Sequence, residues 1–154
     1  MSPKPADTRP RVLVTGAAGR LGGLAVAHLR GSGRCEVAAT DMRPVPGGTV
    51  ADFTLPADRW AGLLEGVDAI LHCAGHRGPD TCWEDAQRLN IDLSLRLMTA
   101  ARGRVSRFVF LSSNWVMAGR RFGGERLTTE LPPDPINPYG LSKLAIERAG
   151  VAFA

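Results

Sequence analysis

A chain of 154 residues, 44% hydrophobic and 22% charged, is long enough to bury one core but short for two independent domains, so a single globular domain is expected. The net charge of +4 comes from arginines scattered along the chain, with no dense block and little aromatic interleaving, which argues against a nucleic-acid partner. Cys35, Cys73 and Cys82 are odd in number and lack metal-ligand spacing, which argues against a disulfide framework or metal site and for a reducing compartment.

The first ten residues, MSPKPADTRP, carry three prolines and mixed charges and read as a disordered lead-in, residues 1–10. They lack the apolar stretch of a signal peptide, and no segment approaches the ~20 apolar residues of a membrane span. A cytoplasmic protein without a membrane partner is expected.

From Arg11 the pattern alternates. "RVLVT" (11–15) is a short strand-like run that ends in glycines. A helix is expected over about 19–30, with Leu21, Leu24, Ala25, His28 and Leu29 on one face. "CEVAAT" (35–40), "GTVADF" (48–53), "VDAILHCAG" (67–75) and "RFVFLSS" (107–113) supply four more strands. Between them lie a short helix near 56–64 and a longer one near 82–102, where Leu89, Leu93, Leu97 and Ala100 keep the helical period. "RPVPGG" (43–48) and "LPPDPINP" (131–138) mark loops. Nearly continuous apolar strands separated by helical crossovers indicate a parallel sheet covered on both faces, a doubly wound α/β (Rossmann) domain over 11–154.

The first turn, "TGAAGRLGG", spaces Gly16, Gly19 and Gly22 directly after a strand and at the opening of a helix. Glycine there lets the backbone turn sharply and approach a pyrophosphate, whose charge meets the N–H groups of the helix N-terminus. Asp41 ends the second strand 19 residues after Gly22, where an acid hydrogen-bonds ribose hydroxyls and repels a 2′-phosphate. That favours NAD over NADP, although Arg43 could serve a phosphate and Asp41 could simply cap the turn before Pro44. His72 and His76 flank "CAG" without an acid or cysteine at metal spacing, and polar loop residues are the plainer reading.

Near the end, "PYGLSKLAIERAG" holds Tyr139, the chain's single tyrosine, four residues before Lys143. Lysine is scarce here, two against seventeen arginines, so chance would place one at a given offset from Tyr139 roughly once in eighty.

Together, Gly16, Gly19 and Gly22, Asp41, Asp52 after the third strand, "HCAG", "SSN" and Tyr139-x-x-x-Lys143 resemble the extended short-chain dehydrogenase/reductase family of sugar epimerases, dehydratases and dehydrogenases. The resemblance covers about residues 11–154. "SSNWVMAG" followed by "NPYGLSK" is most similar to the uronate dehydrogenases within it. It implies a cofactor, NAD, held by the turn from Gly16 through Gly19, Arg20 and Leu21 to Gly22, and by Asp41. Further contacts are implied from Asp52 and Phe53, from Cys73, Ala74 and Gly75, and from Asn90, Tyr139 and Lys143.

The implied chemistry matches the residues. A carbinol must lose its proton as hydride leaves for the nicotinamide, and a phenol of pKa about 10 is a poor base at neutral pH. One helical turn on, the Lys143 ammonium shares a face with Tyr139 and would favour the phenolate. The third catalytic member is Ser113, a hydroxyl to orient the substrate oxygen. The family's serine or threonine falls between Ser113 and Asn114, so Asn114 is either a substrate ligand or the serine's replacement. Ser112 is expected to turn toward the sheet, and His76 with Arg77 to border a substrate anion.

Family members run to about twice this length. The resemblance therefore implies that later strands and a substrate-closing region are missing, and that the 154 residues bind NAD with little turnover. An exposed face on the tyrosine helix would then favour a homo-oligomer. Three functions stay open: oxidation of a sugar or uronic acid, NDP-sugar epimerisation or dehydration, and NAD binding without turnover.

Overall fold

The computed structural model describes residues 9–124 and 126–153; the expected lead-in lies outside the described residues as far as residue 8. Five strands form one sheet in the order β3-β2-β1-β4-β5, with β1 Arg11–Thr15, β2 Glu36–Asp41, β3 Thr49–Val50, β4 Ala69–His72 and β5 Arg107–Phe110. β1 pairs in parallel with β2 (Val14 opposite Ala39) and with β4 (Val14 opposite Leu71), and β2 pairs in parallel with β3. This is the Rossmann order, in which the chain reverses direction across the sheet between β1 and β4. All five expected strands exist: β1 keeps its expected bounds and β2 is shifted by one residue, whereas β3 keeps only two residues, and β4 and β5 end before the "CAG" and "LSS" that follow them.

The chain divides into two compact units. The first contains 9–52, 58–74 and 103–109 and holds nearly the whole sheet with α1 (Arg20–Ser32). Its core is Val14, Ala17, Val26 and Ala39, with Ala25, Leu29, Val37 and Leu71 packed around them. The expected apolar face of α1 is corrected in part: Ala25 and Leu29 do pack against this core, but the rest of that face does not. Gly22 and Val26 are buried, whereas Leu21 and Leu24 are 60% and 62% exposed and His28 is exposed too. A Cβ at Gly22 would overlap the carbonyl oxygen of Gly16, so close backbone approach at that glycine, with Val26, Ala25 and Leu29 beside it, sets which face turns inward. His72 is a core residue of this unit. It is wholly buried, its Nδ1 lies 2.7 Å from Thr15 Oγ1, and its ring meets Phe108 edge-on at 5.6 Å.

The second unit contains 53–57, 75–102 and 110–153. The long helix expected over 82–102 is present as α2 (Trp83–Ala86), a π-helical turn (Gln87–Asp92) and α3 (Leu93–Ala101). After β5 come a 3₁₀ turn (Asn114–Met117) and α4 (Ala118–Phe122), and α5 spans Pro138–Phe153. The short helix near 56–64 is instead two 3₁₀ turns, Ala57–Arg59 and Ala61–Leu64. Among the described residues no helix is long and apolar enough to cross a membrane.

Candidate active site

In the first unit, the glycine turn is built for a close neighbour. Gly16 has φ 67, in the left-handed region, and a Cβ there would sit 2.6 Å from the backbone nitrogen of Ala74. Any other residue would therefore be strained and would push the "CAG" segment away. Gly19 caps α1 without a side-chain bond to the helix, and the first turn of α1 carries no acid, so the positive end of its dipole suits an anion. Thr15 Oγ1 accepts from the Ala74 N–H at 3.2 Å, tying the start of that segment to β1.

Asp41 ends β2 and is 8% exposed. Its Oδ2 accepts from the Ala18 N–H at 3.1 Å and its Oδ1 from the Arg43 N–H at 2.9 Å. It thus caps the following turn and also braces the glycine turn. A carboxylate has about four acceptor sites, so these two bonds leave capacity for ribose hydroxyls. The Arg43 guanidinium reaches Asp41 Oδ1 at 3.5 Å and is otherwise largely in solvent. Asp52 closes the segment after β3 and is half-buried, and Phe53, the first residue of the second unit, is buried. Arg20 and Leu21 open α1 with exposed side chains. A glycine cradle that a Cβ would fill, an uncapped helix start and an acid at the β2 end fit an NAD dinucleotide.

In the second unit, the tyrosine helix is held at four points. Asn137 caps it, its Oδ1 accepting from the Gly140 N–H at 2.8 Å, and Pro138 takes the first helical position, where its missing N–H costs nothing. Gly140 lies against the chain after β5, where a Cβ would overlap the Trp115 carbonyl oxygen. Ser142, wholly buried, donates to the Tyr139 carbonyl at 2.7 Å and accepts from Asn90 Nδ2 at 2.9 Å. Lys143, 7% exposed, donates from Nζ to the Leu111 carbonyl at 3.1 Å. Its ammonium lies 4.7 Å from the Phe110 ring centroid and 5.8 Å from that of Tyr139. A buried cation needs such partners. Tyr139 itself is half-buried.

Asn90 sits in the π-helical turn at 2% exposure, and its Oδ1 has no hydrogen-bond partner. Gly75 backs onto that oxygen, and a Cβ at Gly75 would be 2.7 Å from it. π turns often mark functional positions. Ser113 opens the 3₁₀ turn, its Oγ accepting from the Trp115 N–H at 3.3 Å, which leaves its own proton to donate. Asn114 is exposed beside it. The expectation for Ser112 is corrected: it is exposed and its hydroxyl donates to Glu147 on α5, because β5 ends at Phe110 and the chain has already left the sheet. His76 and Arg77 are exposed on the loop after Gly75, with His76 bonded to Thr81.

Ser113 also lines a cleft of about 600 Å³ with Met117, Glu130, Glu147 and Arg148. The Thr128 and Thr129 hydroxyls and its own backbone N–H hold the Glu130 carboxyl below the usual carboxylate range. Tyr139 and Lys143 are not part of that cleft lining. Among the described residues, no three His, Cys, Asp or Glu side chains are grouped to hold a metal ion.

Sequence reasoning missed Ser142, Gly140, Thr81 and Glu147. Gly140 had a signal, a glycine inside a helical pattern, which costs about 1 kcal/mol against alanine and calls for a packing reason. Asn137-Pro138 is a cap signal of the same readable kind. The pairing of Ser142 with Asn90 had none, because the partners stand 52 residues apart.

The fold and these two sets of residues define a dinucleotide-binding Rossmann domain carrying a tyrosine–lysine helix. The chain belongs to the NAD dependent epimerase/dehydratase family, whose model matches residues 12–154. It is 36% identical over 141 residues to a uronate dehydrogenase of Pseudomonas putida, covering 86% of this chain and 51% of that one. It is 31% identical over 145 residues to the methionine adenosyltransferase 2 subunit beta of Danio rerio, covering 90% of this chain and 42% of that protein. The structure of MoeE5 in complex with UDP-glucose and NAD is similar at a TM-score of 0.78 and 36% identity, covering 93% of this chain and 48% of that one. The chain thus spans about half the length of these relatives. The expected family, Rossmann fold and NAD cofactor are borne out.

Proposed function

We propose that the chain serves the NAD-dependent oxidation of a sugar or uronic acid at a carbinol carbon. The observation that carries this reading is the buried ammonium of Lys143 set beside the ring of the single tyrosine, on a helix pinned at both flanks of that pair. NAD, when bound, supplies the acceptor for the hydride that leaves carbon. Gly16, Gly19 and Gly22 leave room for its pyrophosphate, and Asp41 offers oxygens to its ribose. Tyr139 Oη, as the oxyanion, takes the carbinol proton, and the Lys143 ammonium attracts the negative charge that Oη carries before the proton arrives. Ser113 Oγ–H donates to the substrate oxygen and holds it in line. Asn114, His76 and Arg77 contribute to the substrate side, and the protein acts as a homo-oligomer in the cytoplasm. The similarity to a uronate dehydrogenase supports a uronic acid as substrate.

A second reading has support of its own. The similarity to a subunit beta of an adenosyltransferase favours an NAD-binding partner subunit without turnover. NADH absorbance over a panel of uronic acids and aldoses, run beside thermal melts with and without NAD, decides between them. NADH formation with one sugar class supports the oxidoreductase. A melting shift with NAD and no NADH from any sugar overturns it in favour of the binding subunit.

A further inference from the structure

We propose that Glu147 is a positioning residue for the reaction: it clasps Ser112, and through Ser112 it fixes where the hydroxyl of Ser113 stands relative to Tyr139. The inference rests on the sugar-oxidoreductase reading above and adds to it the group that holds one of its members in place. The Ser112 hydroxyl donates to Glu147 Oε1 on α5. An ionised carboxylate only accepts, so the proton in this bond is the serine's. Tyr139, Lys143 and Glu147 follow one another at intervals of four residues along α5, and side chains at that spacing share one face of a helix. The base, its cation and the carboxylate that takes Ser112 therefore belong to one rigid row.

The chain leaving β5 lies along that row. Lys143 Nζ reaches the Leu111 carbonyl at 3.1 Å, Glu147 takes Ser112, and Gly140 lies so close to Trp115 that a Cβ there would overlap the Trp115 carbonyl oxygen. Ser113 is thus strung between Ser112 and Trp115, two residues held by the helix that carries the tyrosine. Its Oγ accepts from the Trp115 N–H at 3.3 Å, which ties the hydroxyl itself to the far support. Lys143 grips the chain one residue earlier, and its charge is committed to Tyr139, so Glu147 supplies the hold beside Ser113. Ser113 and Glu147 also border the same cleft.

Exposure separates this role from a structural one. Ser112 and Glu147 are both exposed, so water competes for each group and their bond adds little to global stability. Its effect is local. Reacting groups must be held close to a near-attack geometry, and a displacement of about 1 Å can cost on the order of 10² in rate. Loss of the clasp should therefore be felt in turnover and not in unfolding.

The test compares Glu147→Ala, Ser112→Ala, the double variant and Glu147→Gln with the unaltered 154-residue protein. NADH formation is followed with whichever uronic acid or aldose of the panel gives most product, beside thermal melts and amide hydrogen exchange of the Trp115 N–H. Each alanine variant should lower kcat about 10- to 100-fold, with KM for NAD and Tm nearly unchanged. The double variant should be no slower than either single one, the mark of a shared interaction. Glu147→Gln keeps an acceptor oxygen and should restore most of the rate. Exchange at Trp115, which is bonded to Ser113, should quicken in both alanine variants and stay slow in Glu147→Gln. Full kcat in Glu147→Ala, a kcat loss that follows a fall in Tm, or Trp115 exchange unmoved by the alanine variants each overturns the inference alone. No NADH from the unaltered protein with any sugar overturns it together with the reading on which it rests.

Discussion

The two compact units solve the same problem, holding functional groups still, by opposite means. The first does it with backbone: Gly16 in a left-handed conformation against Ala74, an uncapped helix start at Gly19, and Asp41 bracing two backbone N–H groups. The second does it with buried polar side chains: Asn90, Ser142 and Lys143 are each at most 7% exposed and bonded to another part of the unit. A backbone site tolerates most side chains around it but not a Cβ within it. A side-chain network tolerates no missing member, because each deletion leaves a buried group without a partner.

That contrast can be broken, and the largest expected effect is in the second unit. Tyr139→Phe should lower steady-state NADH formation by ~10² or more while leaving the NAD-induced melting shift nearly unchanged. Activity retained in the variant would end the tyrosine's assignment as base and with it the division of labour between the units. In the first unit, Gly16→Ala forces a positive φ and a collision with the Ala74 backbone. The expected cost is about 3 kcal/mol, read as a fall in Tm of roughly 10 °C, with the NAD-induced shift abolished.

Smaller effects sharpen the comparison. Ser142→Ala removes the acceptor of Asn90 Nδ2 beside an Oδ1 already without a partner, so about 1–3 kcal/mol of stability should go in a urea melt. Replacing both residues by apolar ones should cost less than the sum of the single changes, the mark of a coupled pair. Asp41 predicts a larger Tm rise with NAD than with NADP at equal concentration, since a ligand stabilises by RT ln(1 + [L]/Kd). Equal shifts would hand the choice to Arg43. Leu24→Ala, on the exposed side of α1, should change stability by no more than about 0.5 kcal/mol. A large loss there would restore the leucine face that the sequence pattern suggested.

The sequence by itself determined the strand and helix order, the glycine turn with Asp41 at its set distance, and the Tyr139–Lys143 pair on one helix turn. Each of these is local: a strand's apolar run, a turn's need for glycine and an i, i+4 spacing act within a few residues or one βαβ unit. Strand lengths, the inward face of α1 and the fate of Ser112 waited for tertiary structure. Hydrophobic periodicity could not foresee that α1 would pack through Gly22 and Val26. Nor could it show that the chain leaves the sheet at Phe110, sending Ser112 to Glu147, 35 residues on. The same holds for the Asn90–Ser142 bond and the Thr81 anchor of His76. Buried polar groups take whichever partner the folded chain brings within reach, and that partner leaves no periodic trace in the sequence.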